Sequence, residues 1–177
     1  KKSIIVSKSF GTLITDINLL EQALSNHVAR ACEKLRIQNS KAKSISIFIQ
    51  TNKFRKDLPQ YKASKHHVLE LPSSDTGKLI KISKNLLNII FRNNYMYSKC
   101  GVTLQDISSN NYEQKHMFEK NDPVIDILMK RVDSLNSYLG KNSVFHASQG
   151  TTKEWKMKRK NLSPCYTTNW KSLPLVR

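Results

Sequence analysis

Acidic residues are scarce in this chain. Its 177 residues hold 13 Asp/Glu against 30 Lys/Arg, a formal net charge of +17 and a pI near 9.9. An excess of this size implies a polyanionic partner, nucleic acid first and a membrane surface as its rival. The surplus belongs to no single tail, because the chain is net +11 through Asn110 and net +6 beyond it. No long apolar run is present, which excludes a helix that spans a bilayer. No secretory signal opens the chain. The first residues, "KKSIIVSKSF", lack an initiator Met and run straight into strand-like sequence, as expected of a piece cut from a longer protein. Cysteine is limited to Cys32, Cys100 and Cys165. Three widely separated thiols argue against a disulfide framework and for a reducing cytoplasm.

The residues that carry catalysis are missing as well. A nucleotidyl transferase needs neighbouring carboxylates to hold a metal pair, and no D-x-D or D-E pair occurs. A zinc site needs Cys/His spacing that closes on one ion. His66 and His67 are adjacent, so a strand would point them to opposite faces. His27, His116 and His146 are scattered. With five glycines in all, no phosphate-cradling loop forms. No serine or cysteine is marked as a nucleophile. The chain by itself is therefore expected to be non-catalytic.

Periodicity supplies a fold. Ser3 to Ser9 reads as a strand, which "FGTLITD" breaks. Asp16 or Asn18 caps the next helix, and Asn18 with Glu21 has capping-box spacing. Ile17, Leu20, Leu24, Val28, Ala31 and Leu35 then form one helical stripe. "SISIFIQT" alternates, with Ile45, Ile47 and Ile49 on one face and Ser44, Ser46, Phe48 and Gln50 on the other. The polar loop "NKFRKDLPQYKASK" leads to a shorter strand near "HHVLELP". Ser74 or Asp75 caps a second helix with Leu79, Ser83, Leu86 and Ile90 inward. "MYSKCGVTLQDI" is a last strand, with Cys100, Val102 and Leu104 inward and Lys99 and Thr103 outward. The order over residues 1–108 is β-α-β-β-α-β, an α+β fold with a four-stranded sheet and two helices on one face.

The other sheet face stays open, and its Ser, Thr, Gln and Lys side chains donate to phosphate oxygens. A plain solvated face is the alternative. RNA-recognition motifs share this topology but stack bases on aromatics of their central strands. That platform is missing here, so the face suits a nucleic-acid backbone rather than bases. Lys8, Ser9, Thr51, Asn52, Lys53, Lys99 and Thr103 are the candidate contacts, being at strand starts and outward positions.

Residues 109–123 read as a polar linker. Within it Met117 and Phe118 lie side by side in "EQKHMFEKND", to be filled either into this chain's own core or into a partner's. From Pro123 a helix resumes, with Val124, Leu128, Val132, Leu135 and Leu139 in register. "SVFHA" reads as a short strand. The basic end "KEWKMKRKNLSPCYTTNWKSLPLVR" looks irregular and pinned by aromatics. Residues 124–177 thus form a small helical and irregular C-terminal domain.

Several of these stretches resemble one family. "SKSFG", "ITD", "ACEKLR", "FIQTN" and "YSKCGVTLQDI" resemble the little-finger domain of Y-family DNA polymerases, in the UmuC branch that includes the catalytic subunit of bacterial DNA polymerase V. "SQGTTKEWKMKRKNLSPCYTTNW" resembles the C-terminal region that marks that branch. The resemblance implies SOS mutagenesis and error-prone translesion synthesis in DNA repair. The little finger of that family holds phosphates of both strands in the major groove. Palm, fingers and thumb, with their magnesium ions, would lie upstream. Gln114, Lys115, His116, Met117 and Phe118 resemble the family's Q-L-x-L-F motif for the β sliding clamp, with Lys115 and Met117 in place of leucines. Cys165 stands where a basic residue is expected. The processed UmuD dimer and the recombinase RecA are the other partners implied, on no assigned residues, in a bacterial cytoplasm near the nucleoid. A free-standing nucleic-acid-binding adaptor is the alternative function.

Overall fold

The computed structural model describes residues 2–109, 123–157 and 163–173. Strand β1 (Ile4–Ile14) is followed by helix α1 (Ile17–Ile37), strands β2 (Ser40–Thr51) and β3 (Lys62–Ser73), helix α2 (Thr76–Ile90) and strand β4 (Tyr97–Ser109). Helix α3 (Pro123–Tyr138) and short 3-10 turns at Ala147–Gln149 and Trp170–Ser172 complete the described chain. The sheet order is β1-β4-β2-β3, with every pair antiparallel. The two central strands, β4 and β2, are thus paired on both sides, and β1 and β3 are the edges. The expected α+β arrangement is present.

Alternation explains which face is buried. Ile45, Ile47 and Ile49 of β2, Val102 and Leu104 of β4, and Ile4 and Val6 of β1 all point to the helix side and are buried. They meet Leu20, Leu24, Val28 and Leu35 of α1 and Leu79, Leu86 and Leu87 of α2 in one core. Cys32 and Cys100 lie in this core, and burial pushes the Cys32 thiol up to about 12. Both helices begin at an aspartate. Asp16 Oδ1 accepts the Asn18 N–H at 2.9 Å, and Asp75 Oδ1 accepts the Gly77 N–H at 2.8 Å. Each such cap stabilises its helix by about 1 kcal/mol. Asn18 is inside α1, so the Asn18–Glu21 alternative is not the cap.

Three elements differ from the sequence reading. β1 does not stop at "FGTLITD" but runs on to Ile14, which pairs with Tyr97 after an irregularity beyond Ser9. β3 is as long as β2 and begins at Lys62, so the "KASK" read as loop is strand. An edge strand with one solvated face can be polar over much of its length, because pairing to β2 supplies its order. "SVFHA" forms no strand. Val144 instead trades hydrogen bonds with the Asn136 side chain, its N–H donating to Oδ1 and its C=O accepting from Nδ2, both at 2.9 Å. With its backbone so engaged, it leads into the 3-10 turn.

The chain after α3 folds back on α1. Gln149 is buried and accepts from Asn26 Nδ2 at 3.3 Å. The Trp155 carbonyl accepts the Gly11 N–H at 3.2 Å, and its indole meets the His27 ring edge-on at 5.8 Å. Burial, with Lys8 nearby, lowers the His27 imidazole from 6.5 to about 4. The unfolded chain therefore binds a proton that the folded chain refuses. Stability is full above pH 6.5 and is lost as pH falls toward 4, by about 2 kcal/mol between pH 7 and pH 5. Wild type should lose more of its melting temperature across that interval than His27→Leu does. Equal losses would show that His27 is not the group responsible.

Candidate nucleic-acid interface

Neither α1 nor α2 covers the second face of the sheet, since both pack on the residues of the opposite parity. Register sorts its side chains into rows across the strands. Ile5, Thr103, Ser46 and His66 form one row. Ser7, Gly101, Phe48 and Ser64 form the next. Ser9, Lys99, Gln50 and Lys62 form a third, in which every side chain can donate a hydrogen bond. Gln105, Ser44 and Val68 extend the face at the other end. None of these paired positions is acidic; Glu70, exposed two residues beyond Val68 on β3, is a carboxylate near that far end, away from the Ser9–Lys62 row.

Gly101 sets the shape of the middle row. A Cβ at this position would lie 2.5 Å from the Ser7 Cβ and 2.6 Å from Phe48 Cε1. The glycine therefore makes room for the Phe48 ring to lie down on the sheet. Lys99 Nζ stands 5.9 Å from the centre of that ring, within cation–π range. The aromatic thus holds a cation near the surface and fills the glycine gap.

The Ser9–Lys62 row opens onto a cleft of about 830 Å³, whose far wall is the β2–β3 loop. Asn52, Lys53 and Phe54 line it from the loop side. The loop is held by its own bonds. Asn52 Oδ1 accepts the Phe54 N–H at 3.1 Å, and Gln60 Nε2 donates to the Arg55 and Leu58 carbonyls at 2.7 and 2.9 Å. Arg55 is matched to Asp57 within the loop, with Nη2 to Oδ2 at 2.7 Å. Lys53 carries no such partner carboxylate among the ion pairs of the described residues, and its Nζ lies 5.0 Å from the Phe54 ring centre. Asn52, with its oxygen occupied, has its amide NH2 to offer.

The seven residues expected from the sequence are placed unequally. Ser9, Lys99 and Thr103 are on the open face, and Asn52 and Lys53 border the same cleft. Lys8 is exposed but pairs with Cys100, in the row that faces the helices rather than outward. Its parity follows from Ile4 and Val6, which fix β1's buried side. Thr51 is buried, and its hydroxyl is already engaged: it accepts the Tyr61 N–H at 3.0 Å and lies 3.0 Å from Gln60 Oε1. That hydroxyl ties the loop ends together. Lys62 and Gln50 join the site though the sequence reading did not name them as contacts. The alternation of Lys62, Ser64, His66 and Val68 was the signal for Lys62. The expected clamp residues, Gln114 to Phe118, lie outside the described residues. Among the described residues no three His, Cys, Asp or Glu side chains gather closely enough to hold a metal, and no helix is long and apolar enough to cross a membrane.

Known proteins similar to this chain share its whole length. Protein ImpB of Salmonella typhimurium is 37% identical over 100% of this chain and 42% of its own. Protein UmuC of Salmonella typhimurium strain LT2 is 36% identical, with the same coverage. Protein MucB of Escherichia coli is 34% identical over 99% of this chain and 42% of its own. The chain thus spans about two fifths of the length of the curated relatives it matches. Among solved structures, the insertion ternary complex of Dbh DNA polymerase aligns with 61% of this chain and 29% of that one, at 18% identity and a TM-score of 0.49. DinB from Sulfolobus solfataricus aligns over the same shares at 18% identity and a TM-score of 0.48. Residues 126–176 match a domain of unknown function (DUF4113). Residues 1–117 match the impB/mucB/samB family C-terminal domain, and the chain belongs to that family of UmuC-like proteins.

Proposed function

We propose that this chain is the DNA-gripping and sliding-clamp-tethering region of an error-prone translesion polymerase, without catalytic chemistry of its own. The observation that carries the reading is the open sheet face, whose Ser9–Lys62 row is made of donors and whose paired positions hold no carboxylate. Four strands about 4.8 Å apart span roughly 14 Å, close to the ~12 Å width of a major groove. A surface of that width meets phosphates on both banks of the groove. Ser9, Asn52, Lys53, Lys62, Lys99 and Thr103 supply the donors. Lys8 adds to the field from the rim, and Thr51 acts by closing the loop that carries Asn52 and Lys53. Such contacts position the duplex without reading it. This suits an enzyme that must hold DNA of any sequence. The metal ions of the reaction would be held in the part of the polymerase outside this chain.

Binding to duplex DNA should be salt-sensitive and indifferent to sequence. Changing Lys53, Lys62 and Lys99 together to Ala should lower the slope of log K against log salt by about three, since each lost phosphate contact contributes about one. Affinity at about 0.1 M salt should fall by roughly tenfold or more, alike on unrelated sequences. An unchanged slope would remove the open face from the DNA interface. A loss confined to one sequence would show readout of bases instead.

A further inference from the structure

Helix α3 buries its charged side and exposes its apolar one. Asp133 forms a two-point ion pair with Arg36 of α1, Nε to Oδ2 at 2.6 Å and Nη2 to Oδ1 at 2.8 Å. The same guanidinium donates to the Ser74 carbonyl and to Thr76 Oγ1. Asp126 Oδ2 lies 3.3 Å from Lys41 Nζ. Met129 is the buried apolar contact on this side. Facing away are Val124, Leu128, Leu135 and Leu139, each 45–66% exposed, with Arg131 exposed among them. Steps of four, three, four and four residues make these a single stripe about 22 Å long. Beside Leu128 a cavity of about 240 Å³ opens, with Met129, Val132, Val144 and Phe145 in its apolar wall. A cavity of 150 Å³ lined by apolar side chains accepts a benzene ring; this one is larger, with Arg30, Glu33, Arg36 and Asp133 on its other wall, and has room for an apolar side chain laid against Val132 and Phe145.

The charges decide what covers the stripe. Both α3 carboxylates are drawn to the inner side, where Lys130 also lines a cavity with them, so the outer stripe presents Arg131 at its centre. A second copy paired about a two-fold axis would set Arg131 against Arg131, since that residue lies near the stripe's midpoint. A helix lying in a membrane surface keeps its cations on the polar side and not within the apolar face. A protein segment can satisfy both features by setting a carboxylate opposite the arginine.

We propose that the outer face of α3 is a docking surface for an amphipathic helix of another protein. That helix carries an acidic residue at the centre of its own apolar stripe and an apolar anchor for the cavity beside Leu128. The surface is distinct from the open sheet face and does not depend on DNA binding.

The test uses the full chain and two synthetic helical peptides of about sixteen residues, with leucines at heptad spacing and either Glu or Lys at the centre. The Glu-centred peptide should bind with a dissociation constant on the order of micromolar, and the Lys-centred one at least tenfold more weakly. Arg131→Glu should invert that preference. Leu128→Asp with Leu135→Asp should abolish binding of both peptides while leaving the melting temperature unchanged. Equal affinity for the two peptides, or no binding of either, overturns the proposal. So does early melting of the double variant, which would place those leucines in the core. Sedimentation as a dimer that the double variant abolishes would assign the face to a second copy. Binding to vesicles of about 30% phosphatidylserine that the double variant abolishes, without peptide binding, would assign it to lipid.

Discussion

Gly101→Val should destabilise the protein by about 3 kcal/mol and lower its melting temperature by roughly 6–12 °C. The reason is the approach of two neighbours rather than backbone freedom. Any Cβ here meets the Ser7 Cβ at 2.5 Å on one side and the Phe48 ring at 2.6 Å on the other. β4 is central, bonded to β1 and β2 at once, so it cannot swing away from either. The ring can move, because it lies on the open face with no helix above it. Phe48→Leu should therefore recover part of the loss in the double variant, by a coupling of 0.5 kcal/mol or more. The same change displaces the ring under Lys99 Nζ, so DNA binding should weaken even at temperatures where the variant is folded. A Gly101→Val protein that melts like wild type would mean that the strands separate at little cost, and that the row on either side of Gly101 is not fixed as described.

Sequence alternation made the core of this fold legible and left the edges obscure. Ile45, Ile47 and Ile49 on one side of β2, and Cys100, Val102 and Leu104 on one side of β4, fix both strands and the buried face, because a shift of one residue would invert every side chain. Edge elements lack that constraint. β3 needs apolar residues only on its helix side, so "KASK" reads as loop until its pairing with Gln50 and Phe48 is known. β1 passes Gly11, whose N–H is satisfied by Trp155 far down the chain, a partner with no local signature.

The same limit applied to the site. Lys99 and Thr103 could be placed on the open face from β4's own period. Lys8 was harder, because Ile4, Ile5 and Val6 are apolar in succession and leave the buried side of β1 open until its pairing with β4 is known. Thr51 looked like a free hydroxyl at the end of a strand. Its capture by Gln60 and Tyr61 depends on a loop turning back nine or ten residues later. In α3 the apolar stripe was visible, but not that it faces outward. That orientation is fixed by Arg36 and Lys41, two cations from other elements that hold Asp133 and Asp126 inward.

A peptide from Asn111 to Asp122 should bind the β sliding clamp by itself, with a dissociation constant on the order of micromolar, since ordering a free segment offsets part of the contact energy. The proposed clamp motif places Gln114 as a hydrogen-bonding anchor and Met117 with Phe118 as neighbours in one apolar pocket. Phe118→Ala should then cost more than tenfold by emptying the pocket, and Gln114→Ala should cost the anchoring hydrogen bonds. Met117 keeps its fit because an unbranched thioether adapts to a pocket shaped for leucine. Lys115→Leu should tighten binding, because it restores the leucine at the second position of the motif that the segment resembles. In the full chain none of the three changes should move the melting temperature if the segment acts as a tether. The opposing arrangement, in which Met117 and Phe118 fill a pocket of this chain's own domain, gives the reverse pair of results. Phe118→Ala would then lower the melting temperature by several degrees, as loss of a buried aromatic does, and the peptide would ignore the clamp. One titration of peptide against clamp, beside one melting curve of the Phe118→Ala chain, separates the two arrangements.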